Sequence, residues 1–239
     1  MIFSRGRGGG RHARREQAGT GPETDPRSAA VEAASDAPER GPYDVSEAPA
    51  GVQRLDLGSL QIPAVADVEV RVQADPDGTI QQVVLVHGEN ALQLGVFAAP
   101  RTEGIWDEVR EEIRTSLFND GVAAQETSGE YGVELRARVR AEGGLTDLRF
   151  VGIDGPRWMV RGVYQGPAAS DPASAGPLAQ VLDGLVVDRG QEAKPVREPL
   201  PLRLPREVAQ QAEAGNVAAS GEGGPGVNGA DPYGVPHRD

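Results

Sequence analysis

The chain has 239 residues, of which 38% are apolar and 4% aromatic, and its 36 acidic and 24 basic residues give a formal net charge of −12. The absence of cysteine excludes a disulfide scaffold and any metal site that needs thiolate ligands, and the composition is not that of a coiled coil. No run of about 18 apolar residues is present, which argues against a transmembrane helix.

The two ends of the chain have the composition of disordered segments. Residues 1–15 form a basic head with five arginines and no acid, and residues 16–50 form an acidic stem. Large apolar residues are almost absent there, so no core would offset the entropy of ordering the chain. Residues 206–239 are rich in glycine and proline. We therefore expect a disordered tail at 1–50, a single folded domain at 51–205 and a second disordered tail at 206–239.

The first half of the predicted domain has the alternating pattern of strands. Val68, Val70 and Val72 alternate with polar residues, and the Asp-Pro-Asp-Gly turn at 75–78 follows them. Strands are then expected at 79–87 and 91–98, which completes a three-stranded antiparallel meander. An earlier short strand is expected around 53–62.

The period then changes to that of a helix. Four apolar residues repeat at the spacing of one helix face: Trp106, Val109, Ile113 and Leu117. Thr102 is the expected cap at the helix start, and Asn119-Asp120-Gly121 is a typical end. Trp106 is therefore expected in the core.

Strands and a second helix follow. Strands are predicted at 131–141, 145–154 and 157–165, separated by glycine-containing turns. Asp171-Pro172 is expected to begin the second helix, with Asp171 as its cap. Four leucines and valines form the apolar stripe of that helix: Leu178, Val181, Leu182 and Leu185. A short strand at 185–188 and the proline-bracketed segment at 200–205 close the domain.

The order of these elements predicts an α+β fold. Tight turns between successive strands imply a mostly antiparallel sheet. We expect the two main helices to pack on one face of this sheet as a sandwich. Regular alternation of strand and helix is absent, which argues against a Rossmann or barrel fold.

The stretch DGPRWMVRGVYQGPAA at 154–169, followed by Ser170-Asp171-Pro172 and by PVREPLPLRLP at 195–205, resembles the actinobacterial domain of unknown function 3710 family. The resemblance covers about 40–205 and includes the GIWDEVREEI helix. It implies a cytoplasmic actinobacterial protein whose family has no assigned activity, so it carries over no catalytic residue. The layout also looks somewhat like the sandwich shared by photosystem accessory proteins and Ran-binding nuclear import factors, which is an analogy of fold alone.

Five arginines are the first candidate site. The period of two in a strand places Arg136, Arg138 and Arg140 on one side, about 7 Å apart, and Arg149 and Arg161 on neighbouring strands would join them. Such a patch would bind an anion or an acidic partner. The alternative is a solvated face on which nearby carboxylates neutralise the arginines: Glu134, Glu142 and Asp147.

Two aromatic residues are the second candidate site. Trp158 begins a predicted strand, and Tyr164 precedes the Gly166-Pro167 turn, so together they would line a groove for a peptide. Packing of both side chains in the core is the alternative, and it is the preferred interpretation.

Motifs for catalysis are not found. His87, the one histidine in the predicted domain, lies at a strand end near Glu89, and an ordinary histidine in a hairpin turn is the preferred interpretation. There is no Gly-x-Ser-x-Gly motif, and Lys194, the only lysine, is not in a phosphate-binding loop. We therefore predict no catalytic residue, no metal site and no cofactor.

These observations favour a non-enzymatic cytoplasmic interaction or accessory domain with a protein partner. One alternative is a nucleic-acid-associated protein that uses the basic head at 1–15 and the arginine-bearing sheet face. A second alternative is an enzyme whose site is assembled from dispersed Asp, Glu and Arg residues. Binding to a membrane is not expected.

Overall fold

A computed structural model describes residues 40–75, 79–141 and 143–204. The predicted basic head, all but the last residues of the acidic stem, and the tail at 206–239 lie outside the described residues, as do Glu142 and most of the turn after Asp75. Residues 41–44, which the composition assigned to the tail, belong to the fold. Tyr43 is buried and pairs with Val186, so the folded part begins before the predicted boundary at 51.

The elements of the described residues are these. The strands are β1 (Tyr43–Asp44), β2 (Arg54–Asp56), β3 (Leu60–Pro63), β4 (Glu69–Ala74), β5 (Ile80–His87), β6 (Asn90–Ala98), β7 (Ala124–Gly129), β8 (Gly132–Ala141), β9 (Gly144–Gly155), β10 (Trp158–Gln165) and β11 (Val186–Val187). The α-helices are α1 (Trp106–Asn119), α2 (Pro167–Ser170) and α3 (Pro177–Gly184), and a 3-10 helix occupies Pro172–Ala175.

The strands form a large sheet and a small one. The large sheet has seven strands in the order β4-β5-β6-β10-β9-β8-β7, and every neighbouring pair in it is antiparallel. The small sheet has four strands in the order β1-β11-β3-β2, and its β1–β11 pair is parallel. The predicted α+β class with mostly antiparallel pairing is confirmed, and so is the meander of β4, β5 and β6.

The large sheet has an apolar cluster on each face. On one face, the buried residues of α1 pack against Leu135 of β8, Phe150 of β9 and Val163 of β10. On the other face, α3 and the small sheet pack against residues such as Val151 of β9 and Tyr164 of β10. The expectation that both main helices share one face is therefore wrong: α1 and α3 lie on opposite faces. The reason is that β9 and β10 are apolar on both sides and need a cover on each.

Helix α1 begins later than its sequence suggested. Thr102 is not its cap, because the helix starts at Trp106 and the capping position is Ile105, which offers no side-chain acceptor. The carboxylate of Asp154 on β9 accepts the backbone N–H of Ile105 (2.8 Å) and of Trp106 (3.2 Å) instead. A negative charge at this position also suits the positive end of the helix dipole. The predicted end is confirmed, since α1 stops at Asn119.

The second predicted helix is divided in two. Asp171 does act as a cap, accepting the N–H of Ala173 (3.1 Å), but it caps the 3-10 helix. Helix α3, which carries the apolar stripe, starts at Pro177. Between them, Gly176 has a φ of 46°, a left-handed conformation that favours glycine.

Strand β7 was not predicted. Its sequence, AQETSG, has no apolar alternation, because it lies at the edge of the large sheet and pairs only with β8 in the described part of the chain. An edge strand with few buried side chains gives no signal of period two.

We predict that Gly152 is required for α1 to pack against β9. A Cβ atom at Gly152 would lie 2.0 Å from Cδ2 of Trp106, so Gly152→Ala would displace the indole and its hydrogen bond from Nε1 to the carbonyl of Val133 (2.7 Å). The free energy of unfolding, measured in urea, should fall by about 1–3 kcal/mol.

A double-mutant cycle controls this prediction. In a Trp106→Leu background the indole is absent, and Gly152→Ala should cost clearly less stability than it does in the natural chain. An equal cost in both backgrounds would show that the indole contact is not the cause.

Candidate functional site

Strand β8 presents three arginines on the side of the sheet opposite α1. Its residues alternate as predicted: Leu135, Ala137 and Val139 are buried in the cluster beneath α1. Arg136, Arg138 and Arg140 alternate with these residues, and we call these three arginines the arginine face. The predicted alternation of β8 is thus confirmed.

The second layer of the fold stops short of the arginine face. The buried cluster formed by α3 and the small sheet draws on β5, β6, β9 and β10, and none of its buried members comes from β7 or β8. The short helix α2 comes nearest, with its last residue, Ser170, beside Arg136. Among the residues that the structure describes, the arginine face is therefore the uncovered end of the large sheet.

Arg138 is neutralised locally. Its guanidinium makes two hydrogen bonds to the Asp147 carboxylate on β9, of 2.6 and 2.9 Å, and the Ser170 hydroxyl donates to the same carboxylate (3.0 Å). The hydrogen bonds from Arg138 hold the pKa of the Asp147 carboxyl below its usual range. Both side chains are accessible to solvent, so this ion pair orients Arg138 without removing it from the surface.

Arg136 and Arg140 have no carboxylate partner among the described residues. Arg136 donates to the backbone carbonyl of Ser170 (3.1 Å), and its buried Nε has no acceptor there. Arg140 is exposed and lies opposite Leu145, an apolar residue that is 66% exposed. A shallow groove of about 380 Å³ runs beside Arg136 and Arg138 toward Ala169 and Ser170.

Arg149 lies at the border of the covered region and is buried. It forms an ion pair with Glu134 (3.3 Å), donates from Nε to the carbonyl of Ala168 (3.0 Å), and its guanidinium stacks over the ring of Tyr164 at 4.1 Å from the centroid. Arg149 and Glu134 are 4% and 2% exposed. Buried charges of this kind are tolerated only as hydrogen-bonded pairs. Arg149 therefore supports the arginine face and does not extend it.

Arg161 lies on the other side of the sheet. Along β10 it pairs with Gly152 of β9, whereas Tyr164 pairs with Arg149, so the two arginines point to opposite faces. The guanidinium of Arg161 lies over the ring of Phe97, 5.3 Å from its centroid, in the layer of α1. The predicted patch of five arginines is therefore reduced to three.

Trp158 and Tyr164 do not line an open groove. Their residues are 1% and 2% exposed, so the preferred interpretation as core residues agrees with the structure. The Trp158 indole packs on Gly155 and donates from Nε1 to the carboxylate of Asp44 (3.2 Å).

Burial raises the pKa of the Tyr164 hydroxyl above its usual range. Tyr164 borders a small cavity of about 60 Å³, together with Glu134 and Arg149.

A polar group around Tyr131, near this cavity, was not predicted from the sequence. The Tyr131 hydroxyl donates to the carboxylate of Asp183 on α3, and the guanidinium of Arg40 lies over the Tyr131 ring at 4.7 Å while it pairs with Glu130. Burial and the bond to Asp183 raise the pKa of the Tyr131 hydroxyl above its usual range. These residues are far apart in sequence, so no local pattern indicates their contact.

The other candidate residues lie apart from this region. His87 ends β5 opposite Asn90 and is half-buried, and Glu89 is in the exposed turn that follows. Among the described residues, no group of three or more His, Cys, Asp or Glu side chains is arranged to hold a metal ion. No helix in the same part of the chain is long and apolar enough to cross a membrane.

Comparison with known proteins gives one clear match. Residues 41–211 match the family described as "Protein of unknown function (DUF3710)". Among curated proteins, none matches.

Two solved structures show a distant likeness. One is a crystal structure from Bacteroides thetaiotaomicron VPI-5482, with 13% identity and a TM-score of 0.36 over 66% of this chain and 54% of that one, so the match spans about half of that protein. The other is the solution structure of cyanobacterial PsbP (CyanoP) from Synechocystis sp. PCC 6803, with 10% identity and a TM-score of 0.34 over 59% of this chain and 94% of that one.

We predict that the buried pair beneath the arginine face contributes strongly to stability. Glu134→Gln would leave the Arg149 guanidinium buried without its counter-charge, and the free energy of unfolding in urea should fall by about 3 kcal/mol or more. Glu126→Gln, which breaks the more exposed contact to Arg110, is the matched control and should cost at most about 1 kcal/mol. Equal losses for the two variants would contradict the role of burial.

Proposed function

The chain belongs to the family described as protein of unknown function (DUF3710), and because that description names no activity, we propose a function from the open end of the large sheet. The proposal is that this domain is a non-enzymatic binding module that docks an acidic segment of a protein partner on the arginine face. The observation that carries it is the combination of Arg136 and Arg140, which have no carboxylate partner in the described residues, with an uncovered sheet surface.

Local charge supports this proposal. The predicted domain at 51–205 has 15 basic and 23 acidic residues, so its average charge would repel an acidic partner. The arginine face is a local exception, in which Asp147 is the one carboxylate that pairs with the three arginines among the residues that the structure describes. Local positive potential on an acidic protein favours recognition of a specific region of the surface over unspecific attraction.

Geometry supports it as well. Arg136 and Arg140 are four residues apart in one strand, which separates them by about 13 Å. Leu145 pairs with Arg140 across β8 and β9, so its exposed side chain lies on the same face and offers an apolar contact beside the charge. A regular strand holds these groups at fixed spacing, which lowers the entropy cost of binding.

The enzyme alternative can be examined at the buried polar group beside the arginine face. The buried group of Glu134, Arg149 and Tyr164 borders a cavity of about 60 Å³. That volume is enough for a few water molecules, whereas pockets for small molecules measure about 300–1,000 Å³. The geometry therefore favours a structural role for this group. The cytoplasmic location expected from the sequence stays a prediction.

We predict that reversing one charge on this face weakens binding of an acidic probe. Arg140→Glu should raise the Kd for a fluorescein-labelled polyglutamate peptide about tenfold, measured by anisotropy at low salt. Arg71→Glu is the matched control, because Arg71 is an exposed strand arginine on β4, beside Glu69, at the far edge of the same sheet. That variant should leave the Kd nearly unchanged.

Two results would overturn the proposal. One is an equal effect of Arg140→Glu and Arg71→Glu, which would show that only total charge matters. The other is tighter binding of a labelled single-stranded DNA than of the peptide, lost in Arg140→Glu, which would replace the protein partner by nucleic acid. Thermal unfolding of each variant confirms that it is folded.

A further inference from the structure

Strand β7 (Ala124–Gly129) is an open edge of the large sheet. It pairs with β8 on one side, and no described strand lies on its other side. Such an edge presents backbone N–H and C=O groups that can pair with an added strand.

The other edge of the sheet is protected, whereas β7 has no such protection from the described residues. Strand β4 carries charged Glu69 and Arg71 and has a register irregularity at Gln73/Ala74, all of which hinder the addition of a strand. Strand β7 has a regular register over its length, no proline, and Glu126 as its one charged residue. Of the two edge strands, β7 is therefore the one better suited to pair with an added strand.

A groove lies alongside this edge. Helix α1 presents Glu111, Arg114, Thr115 and Phe118 at the three- and four-residue spacing of a single face, and these residues line a groove of about 440 Å³ with Val122, Ala123 and Ala124. Phe118 is 77% exposed, the largest exposure among the large apolar residues that the structure describes. An exposed phenylalanine that lines a groove beside an open strand edge offers a partner an apolar contact.

The charges next to the groove are net acidic at the surface. Asp107 and Glu126 both pair with Arg110, but the Arg110 side chain is only 12% exposed while those of Asp107 and Glu126 are 87% and 41% exposed. Glu111 and Arg114 pair with each other and cancel. A partner that approaches the middle of β7 therefore meets carboxylates more than guanidinium groups, and a basic side chain complements this surface.

We propose that a partner protein binds here by adding an extended segment to β7 as an eighth strand of the sheet. Ala124 and Glu126 lie opposite Ala137 and Leu135 of β8, so both point toward the α1 side. Alternate residues of the added strand point to that side too. The segment therefore has an apolar residue for the pocket of Phe118 and Ala124 and, two positions away, a basic residue for Glu126.

This site and the arginine face lie at the same end of the large sheet but on opposite sides of it. The groove is on the α1 side of the sheet, and the arginine face is on the other side. The two sites also take opposite charges, so an acidic segment and a basic segment would be held on the two faces at the same end of the sheet.

The test uses the full chain and two peptides of equal composition. The probe Thr-Arg-Thr-Leu-Thr-Arg-Thr places arginine and leucine on the same side of a strand, and Arg-Thr-Thr-Leu-Thr-Thr-Arg places them on opposite sides. Titration of isotope-labelled protein, followed by NMR, should show binding of the first peptide and at least about tenfold weaker binding of the second. In the complex, alternate amides of 124–129 should exchange with solvent more slowly, because they donate to the new strand.

Variants complete the experiment. Phe118→Ser should weaken binding of the first peptide about tenfold, whereas Val52→Ser, which removes another exposed apolar side chain just before β2 of the small sheet, should have no effect. The proposal is overturned if both peptides bind equally or not at all at millimolar concentration, or if the β7 amides stay unprotected in the complex. It is also overturned if the free chain is a dimer with those amides already protected, because a second copy would then occupy the edge.

Discussion

The rest of this structure depends on one constraint: whether a strand of the large sheet is packed against other elements on one face or on both faces. Strand β10 lies in the middle, with α1 on one side and the small sheet with α3 on the other, and its residues from Trp158 to Tyr164 are all buried. In the described part of the chain, the side of strand β8 opposite α1 is covered at Glu134 but exposed at Arg138 and Arg140, so its apolar residues alternate with polar ones. The layer formed by α3 and the small sheet, on the side opposite α1, ends between β10 and β8. The arginine face and the open edge of β7 both follow from where it ends.

Two of the buried charged residues that the structure describes lie at this border. The pair of Glu134 and Arg149 lies where the cover by α3 stops, and the bond from Arg149 to the carbonyl of Ala168 connects the pair to α2. Helix α2 ends at Ser170, whose carbonyl accepts from Arg136 and whose hydroxyl donates to Asp147. Through the short backbone of α2, these hydrogen bonds connect the buried pair to the arginine face. They orient the guanidinium groups of Arg136 and Arg138, which lowers the entropy cost of binding.

Sequence periodicity predicted the helices and strands that show it in their own residues. It did not predict how two elements pack or pair with each other. Helix α1 and strands β4 to β6 and β8 to β10 were predicted because their own residues alternate or repeat. The side of the sheet on which α3 packs was not, since an apolar helix stripe does not indicate which apolar sheet face it meets. The grouping of Arg149 with Arg161 failed for the same reason: it depends on the register between β9 and β10. Strand β7 had no apolar pattern to detect.

The most direct test of the account is an NMR shift map of the labelled chain titrated with the polyglutamate peptide. We expect the shifted amides to cluster at 136–140, at 145–147 and at Ser170, which meet on the arginine face around the Arg138–Asp147 pair. Amides of β4, at the far edge of the sheet, should stay unshifted. Shifts centred on β4, or spread evenly over all exposed arginines, would contradict the claim that the uncovered end of the sheet is the binding surface.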